Sequence, residues 1–169
     1  MTEKGLSLGT DQKIIYAIFK YCLTRKGVSF MECSKGFGSS LRIEDIGTCG
    51  GKTIYRLEAP LVFYGCNSLS ITVPAGFETD FASVPRLPIA YMAWGDRAHR
   101  EAVLHDYLYS IGAEPDLPRG ECDKLFRYAM ILRGNPWWIY QSMYWGVRIG
   151  GSAGFKKAPV DFKFKIDAV

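Results

Sequence analysis

The apolar residues of this chain of 169 residues change their period once. From Lys52 to Val73 the pattern is β-like. Thr53, Tyr55 and Leu57 alternate with Ile54, Arg56 and Glu58, and two short β-branched and aromatic runs follow at 61–64 and 69–73, split by a GCNS turn signal. From Asp96 onward the pattern is helical. Strands followed by helices, with no strand–helix–strand alternation, exclude a doubly wound parallel sheet and predict an α+β fold. The expected architecture is a small antiparallel sheet followed by a three-helix segment. Residues 1–51 would be an N-terminal extension, 52–151 the core domain and 152–169 a C-terminal strand or arm.

The first helix is expected over Asp96–Ile111 (DRAHREAVLHDYLYSI), with Asp96 as its N-cap and Gly112 as its stop. Ala98, Ala102, Tyr109 and His105 or Asp106 lie along one side; Leu104, Leu108 and Ile111 lie along another. A second helix runs from about Glu121 to Leu132 on a stripe of Leu125, Phe126, Ala129 and Leu132. Asn135 would cap a third, with Pro136 at its first position and its end near Ile149. That helix carries Trp137, Trp138, Ile139, Tyr140, Met143, Tyr144, Trp145 and Val147, and one charge, Arg148. A helix apolar nearly all round should be buried or touch a partner. Elsewhere, Thr10–Leu23 reads as a helix, with a strand over Ile14–Phe19 as the competing reading. Gly27–Gly51 reads as turns or a mobile segment, GTCGGK among them, and Phe77–Pro88 as an ordered loop. Val160–Asp167 alternates strictly, as a half-buried strand or a pairing arm would.

Composition narrows the function classes. Lys and Arg number 21 and Asp and Glu 17, a net charge of +4 without a concentrated basic stretch, so no specific nucleic-acid partner is expected. Cys22, Cys33, Cys49, Cys66 and Cys122 are odd in number and include no CxxC pair, which argues against a disulfide framework and against cysteine-ligated zinc. The polar N-terminus is not expected to be a signal peptide, and no apolar stretch reaches the roughly 18 residues of a membrane span. The one excess is aromatic: 4 Trp, 10 Tyr and 10 Phe, enough to stock a core or to cover a contact surface.

Chemistry concentrates on the first two helices. His99 and His105 are the only histidines; six residues apart, they point about 120° from one another and cannot form an HExxH-type zinc pair. His105 and Tyr109 share a face at i, i+4. If the first two helices pack antiparallel, Asp123 approaches His105, where a carboxylate would orient the imidazole and stabilise its cation. The other ring nitrogen would then take a proton from water. Asp106, with Asp80 beside Thr79 and Ser83, would supply oxygens for calcium or magnesium. Arg86 would pair with Asp80 or Asp106, or bind an anion. The same residues also read without catalysis, as a buried, satisfied His–Asp pair and a loop capped by Asp80 through its own backbone.

The words ITVPAGFETDFASVPR (Ile71–Arg86), AVLHDYLYS (Ala102–Ser110), CDKLFRYAM (Cys122–Met130) and MYWGVRIGG (Met143–Gly151) resemble a phage and prophage family, domain of unknown function thirteen fifty-three, over roughly Lys52 to Gly151. The resemblance implies a phage-encoded protein in which Thr79, Asp80, Ser83, Pro85, Arg86, His105, Asp106, Tyr109 and Asp123 matter. It brings no established activity. The His-Asp-x-x-Tyr word followed by a later Asp is also similar to secretory phospholipase A-two, especially its short bacterial type. That likeness implies His105 as base, Asp106 as calcium ligand, Asp123 as orienting acid and Tyr109 as a hydrogen-bonding support. The chain departs from that pattern in having neither a Gly-rich calcium loop just upstream of the helix nor the disulfides that join the two helices.

Three functions are therefore expected in order. The first is a virion- or tail-associated structural or assembly component, in contact with other phage virion proteins or with itself. The second is a metal-assisted hydrolase centred on His105, acting on an ester, amide or cell-envelope polymer during entry or lysis. The third is a takeover factor that binds a host protein. The corresponding locations are the phage virion or the host cytoplasm.

Overall fold

The computed structural model describes residues 36–65, 69–81 and 98–156. Six strands precede three helices: β1 (Gly36–Phe37), β2 (Ile43–Cys49), β3 (Lys52–Leu57), β4 (Leu61–Tyr64), β5 (Ser70–Val73), β6 (Glu78–Thr79), α1 (His99–Tyr109), α2 (Arg119–Leu132) and α3 (Trp137–Gly150). The fold is α+β. Its strands form two antiparallel three-stranded sheets, ordered β1-β4-β5 and β2-β3-β6, where a single sheet was expected.

β2 lies within the stretch expected to be turns. Its residues, IEDIGTC, mix the strand formers Ile43, Ile46 and Thr48 with Glu44, Asp45 and Gly47, which strands disfavour, and β3 pairs with them from Leu57 opposite Ile43 to Lys52 opposite Cys49. The pairing crosses the boundary expected at residue 52. The turn between the two strands is Gly50-Gly51, with φ of 57° and 73°. Two left-handed residues make a type I′ turn, which matches the twist of the strands and suits glycine. A bulge follows the shift in register between Asp45 and Gly47, and the Asp45 carboxylate accepts the Gly47 N–H at 2.9 Å.

The main core lies between the sheets and two helices. Leu57, Leu61, Phe63, Ile71, Val73 and Phe77 meet Val103, Leu104, Tyr107 and Leu108 of α1 and Cys122, Leu125 and Ala129 of α2. A second cluster joins the next face of α2 to α3 through Phe126, Met130, Ile139, Met143 and Val147. α1 is therefore enclosed on nearly every side, with Ile111 beyond its end exposed. α1 and α2 run antiparallel: Glu101 meets Arg133 at one end, and Tyr109 meets Asp123 at the other. α3 reverses again, so that Arg148 near its end returns to Asp123 near the start of α2.

The helix ends differ from expectation. α1 begins at His99 after Ala98, with no side-chain cap, and Asp96 lies outside the described residues. Pro136 occupies the N-cap of α3, because Asn135 is engaged in closing α2. Both its backbone N–H and its Nδ2 donate to the Met130 carbonyl, each at 3.1 Å. Expectations for Thr10–Leu23 and Val160–Asp167 also fall outside the described residues.

Glu101 is the costly group in this packing. It is fully buried, one carboxylate oxygen accepts from Arg133 at 3.3 Å, and the other has no hydrogen-bond partner. Burial raises its pKa from 4.5 to about 7 against the pull of Arg133. A carboxyl raised on folding favours the folded state at low pH, and that contribution is lost as pH climbs from 4.5 through about 7. Glu101→Gln should remove this slope and raise stability at pH 8 by up to about 3 kcal/mol, at 1.4 kcal/mol per pH unit. Urea midpoints measured from pH 5 to pH 8 check it; a wild type at least as stable as the variant at pH 8 would refute it.

Candidate functional site: a sealed carboxylate between three helices

Asp123 sits in the first turns of α2, where the end of α1 and the end of α3 converge. All its acceptor capacity faces inward. His105 Nε2 approaches Oδ1 at 2.9 Å and the Tyr109 hydroxyl donates to the same oxygen at 2.5 Å. Arg148 Nη1 donates to Oδ2 at 2.7 Å. Burial by itself would raise the carboxyl's pKa. The hydrogen bonds from His105, Tyr109 and Arg148 outweigh it and hold the group below its ordinary value. Asp123 is therefore ionised near neutrality. A carboxylate only accepts, so the His105 proton in this contact sits on Nε2. Arg148 is held above its ordinary value, chiefly by the bond to Asp123, and the Tyr109 phenol is pushed up by burial and by the adjacent carboxylate.

The imidazole and the carboxylate are closed to solvent, while the Arg148 side chain stays 32% exposed. His105 is 1% exposed and Asp123 0%. The imidazole lies between the rings of Tyr109 and Phe126, at centroid distances of 4.1 and 4.9 Å. Residues 151–156 cover the Tyr109 side. Gly151 passes so close that a Cβ there would stand 2.7 Å from the Tyr109 hydroxyl. Phe155 meets the Tyr109 ring edge-on at 5.2 Å, and the Lys156 N–H donates to the Tyr109 carbonyl. Lys156 is itself held by Asp116 at 2.7 Å. Beside the cluster, burial pushes the Cys122 thiol up to about 12, so it stays protonated and poorly nucleophilic.

The other expected residues gather around Asp106, about 100° round α1 from His105. Thr79, buried in β6, donates its hydroxyl to Asp106 at 2.5 Å and accepts the Phe81 N–H at 3.0 Å. Asp80 receives the Lys52 ammonium at 2.7 Å. The remaining histidine, His99, stacks on Phe81 at 4.7 Å. The expected set thus divides in two. His105, Tyr109 and Asp123 come together between helices; Thr79, Asp80 and Asp106 stand where the sheet meets α1. Ser83, Pro85 and Arg86 lie outside the described residues, and so does the expected pairing of Arg86. Calcium requires six to eight oxygens. Among the described residues no group of three or more His, Cys, Asp and Glu could hold a metal ion, and Asp80 already faces a lysine. Among the described residues, the calcium site that the phospholipase likeness implies is not assembled.

Three contributors were not anticipated: Arg148, Phe126 and Gly151. A signal existed for Arg148, the lone charge on an otherwise apolar helix. Such a charge needs a buried counter-ion or a route to water. Phe126 and Gly151 carried no comparable signal, since an aromatic on a helix stripe and a glycine after a helix have ordinary explanations.

Fold and site together define a class: an α+β domain of two small antiparallel sheets and three helices, pinned at a buried His–Asp–Arg cluster. A family model described as "Protein of unknown function (DUF1353)" matches residues 55–147, from β3 through most of α3. The chain belongs to that family. No curated protein and no solved structure gives a significant match. Among the described residues, no helix is long and apolar enough to cross a membrane.

Removing one partner of a buried ion pair strands the others. Asp123→Asn should cost about 3–5 kcal/mol, and Tyr109→Phe about 2 kcal/mol, the range of a hydrogen bond to a charged group. A depressed carboxyl contributes stability above its ordinary pKa and loses it as pH falls through the lowered one. The wild type should accordingly lose stability in acid more steeply than Asp123→Asn. Guanidinium midpoints at neutral and acidic pH, with unchanged m-values, test both statements.

Proposed function

We propose that this protein is a phage-encoded structural or assembly component of the virion or tail, docking through the outward face of α3. The observation that carries the reading is the state of that face. Only Ile139, Met143 and Val147 of α3 are buried. Trp137, Trp138, Trp145 and Ile149 stand 68%, 50%, 59% and 80% exposed. The single charge of the helix, Arg148, is spent on Asp123. A solvent-facing surface of this kind is depleted in charge and rich in tryptophan, the composition of interface centres and binding hot spots. The phage resemblance supplies the setting.

The hydrolase reading draws on one contact, the 2.9 Å approach of Asp123 to His105. That is the geometry of an oriented general base. Against it stand the enclosure of the ring and the use of Asp123 by three donors, which leave a water no approach to the imidazole in this conformation. Assembly is the preferred reading.

Under it, the full chain should co-purify with phage particles, and Trp138→Glu with Trp145→Glu should reduce its incorporation by roughly tenfold or more while leaving the melting temperature within a degree or two. His105→Ala should instead lower the melting temperature by about 5–10 °C. Hydrolysis of an ester or of purified cell wall that His105→Ala abolishes without changing melting would reverse the preference.

A further inference from the structure

We infer that residues 150–156 form a hinged strap that controls solvent access to the Tyr109–Asp123 bond, with Lys156 as its latch. The inference rests on neither reading above. It concerns a segment beyond residues 55–147, the part that the family model matches.

The latch is one residue docked on one helix end. α1 has no basic residue in its last turn, so its final carbonyls lack a cation of their own. Lys156 supplies it. Its backbone N–H donates to the Tyr109 carbonyl at 2.6 Å, and its ammonium donates to the Ser110 carbonyl at 3.2 Å and approaches that of Leu108 at 3.5 Å. A cation is favourable at a helix C-terminus. The same ammonium pairs with Asp116, whose side chain is 71% exposed, so water and salt weaken that bond. Lys156 also holds a left-handed φ of 55°, a conformation unfavourable for a residue with a Cβ, which the closed contacts must offset. The latch is therefore specific in geometry and easily released.

The hinge lies between the end of α3 and the latch, in the run GGSAG at 150–154. Ser152, Ala153 and Gly154 are exposed, and no residue of the short 3-10 turn at 151–153 is buried. The closed form requires glycine only at 151, where a Cβ would collide with the Tyr109 hydroxyl. Gly150 and Gly154 have φ of −89° and −96°, open to alanine, and a Cβ on either would meet nothing within 4 Å. Their extra freedom serves conformations other than the closed one. When the strap swings on them, Gly151 and Phe155 leave Tyr109, and water reaches the phenol and the carboxylate oxygen to which it donates. That is the access the closed conformation denies to the cluster.

Hydroxyl-radical footprinting and hydrogen exchange of the full chain, both read by mass spectrometry, test the inference. Oxidation of Tyr109 should rise about threefold to fivefold in Asp116→Asn, as the loss of a largely exposed ion pair allows, with the melting temperature unchanged within a degree or two. The wild type should show a rise in the same sense from roughly 0.05 to 0.5 M sodium chloride. Gly150→Ala combined with Gly154→Ala should lower the oxidation by at least about threefold, since alanine removes freedom that the open form uses. Phe126, on the other side of the imidazole, should stay unreacted throughout. The strap amides should exchange faster than those of α2 and with little dependence on urea, the mark of local opening. Tyr109 oxidation indifferent to Asp116→Asn and to salt overturns the inference. So does a strap whose amides exchange only together with α2, or a rise at Tyr109 that Phe126 shares.

Discussion

The three helices are organised by one carboxylate that has no access to water. Asp123 carries its charge at the junction of α1, α2 and α3, and each helix contributes to meeting it: α1 through His105 and Tyr109, α3 through Arg148. A charge in this position is tolerable only when it is paired and hydrogen-bonded on both oxygens. The antiparallel order of the helices satisfies that requirement, because it returns the end of α1 and the end of α3 to the start of α2. The glycine at 151 lets the chain close over the Tyr109 hydroxyl without a clash. The cluster therefore acts as a registration device for the helices. An apolar seam tolerates sliding, whereas a carboxylate with three directional donors does not.

This constraint also shapes the outer surface. Arg148 is bonded inward to Asp123, so the one charge of α3 is paired although its side chain remains 32% exposed. Its buried line is narrow and its opposite side is aromatic. The aromatic excess of the composition is thus divided between two tasks. Phe63, Phe77, Tyr107 and Phe126 fill the interior, while Trp137, Trp138 and Trp145 remain outside. At the other end of α1, Glu101 shows the cost of burial without saturation. One of its oxygens is unmet, and its pKa rises where that of Asp123 falls. The two acids lie on the same pair of helices and respond in opposite directions to pH, because three donors outweigh burial at Asp123, whereas burial outweighs the pull of Arg133 at Glu101.

Much of this was legible from residue order. The change of period after Val73 gave the α+β class, and the i, i+4 spacing of His105 and Tyr109 placed both on one helix face. Asp123 could be paired with His105 once antiparallel packing was assumed. β2 was not legible, since Glu44, Asp45 and Gly47 break the strand signal of its Ile and Thr residues, and pairing with β3 completes it. The Asn135 side chain can serve either neighbouring helix, and the carbonyl left open at the end of α2 takes it. The expected grouping of Asp80 and Asp106 around an ion assumed that their oxygens were unengaged. Lys52 and Thr79, distant in sequence, engage them.

The sequence by itself determined the fold class, the helical placement of the His–Asp–Tyr residues and the concentration of aromatics in α3. These follow from periodicity and composition, which are local properties of the chain. Only the tertiary structure decided that the His–Asp pair is sealed, that Arg148 is its counter-ion, and that the aromatic helix turns its tryptophans outward. Burial and charge pairing depend on which surfaces meet, and residues 14 to 25 apart must come together before either is defined.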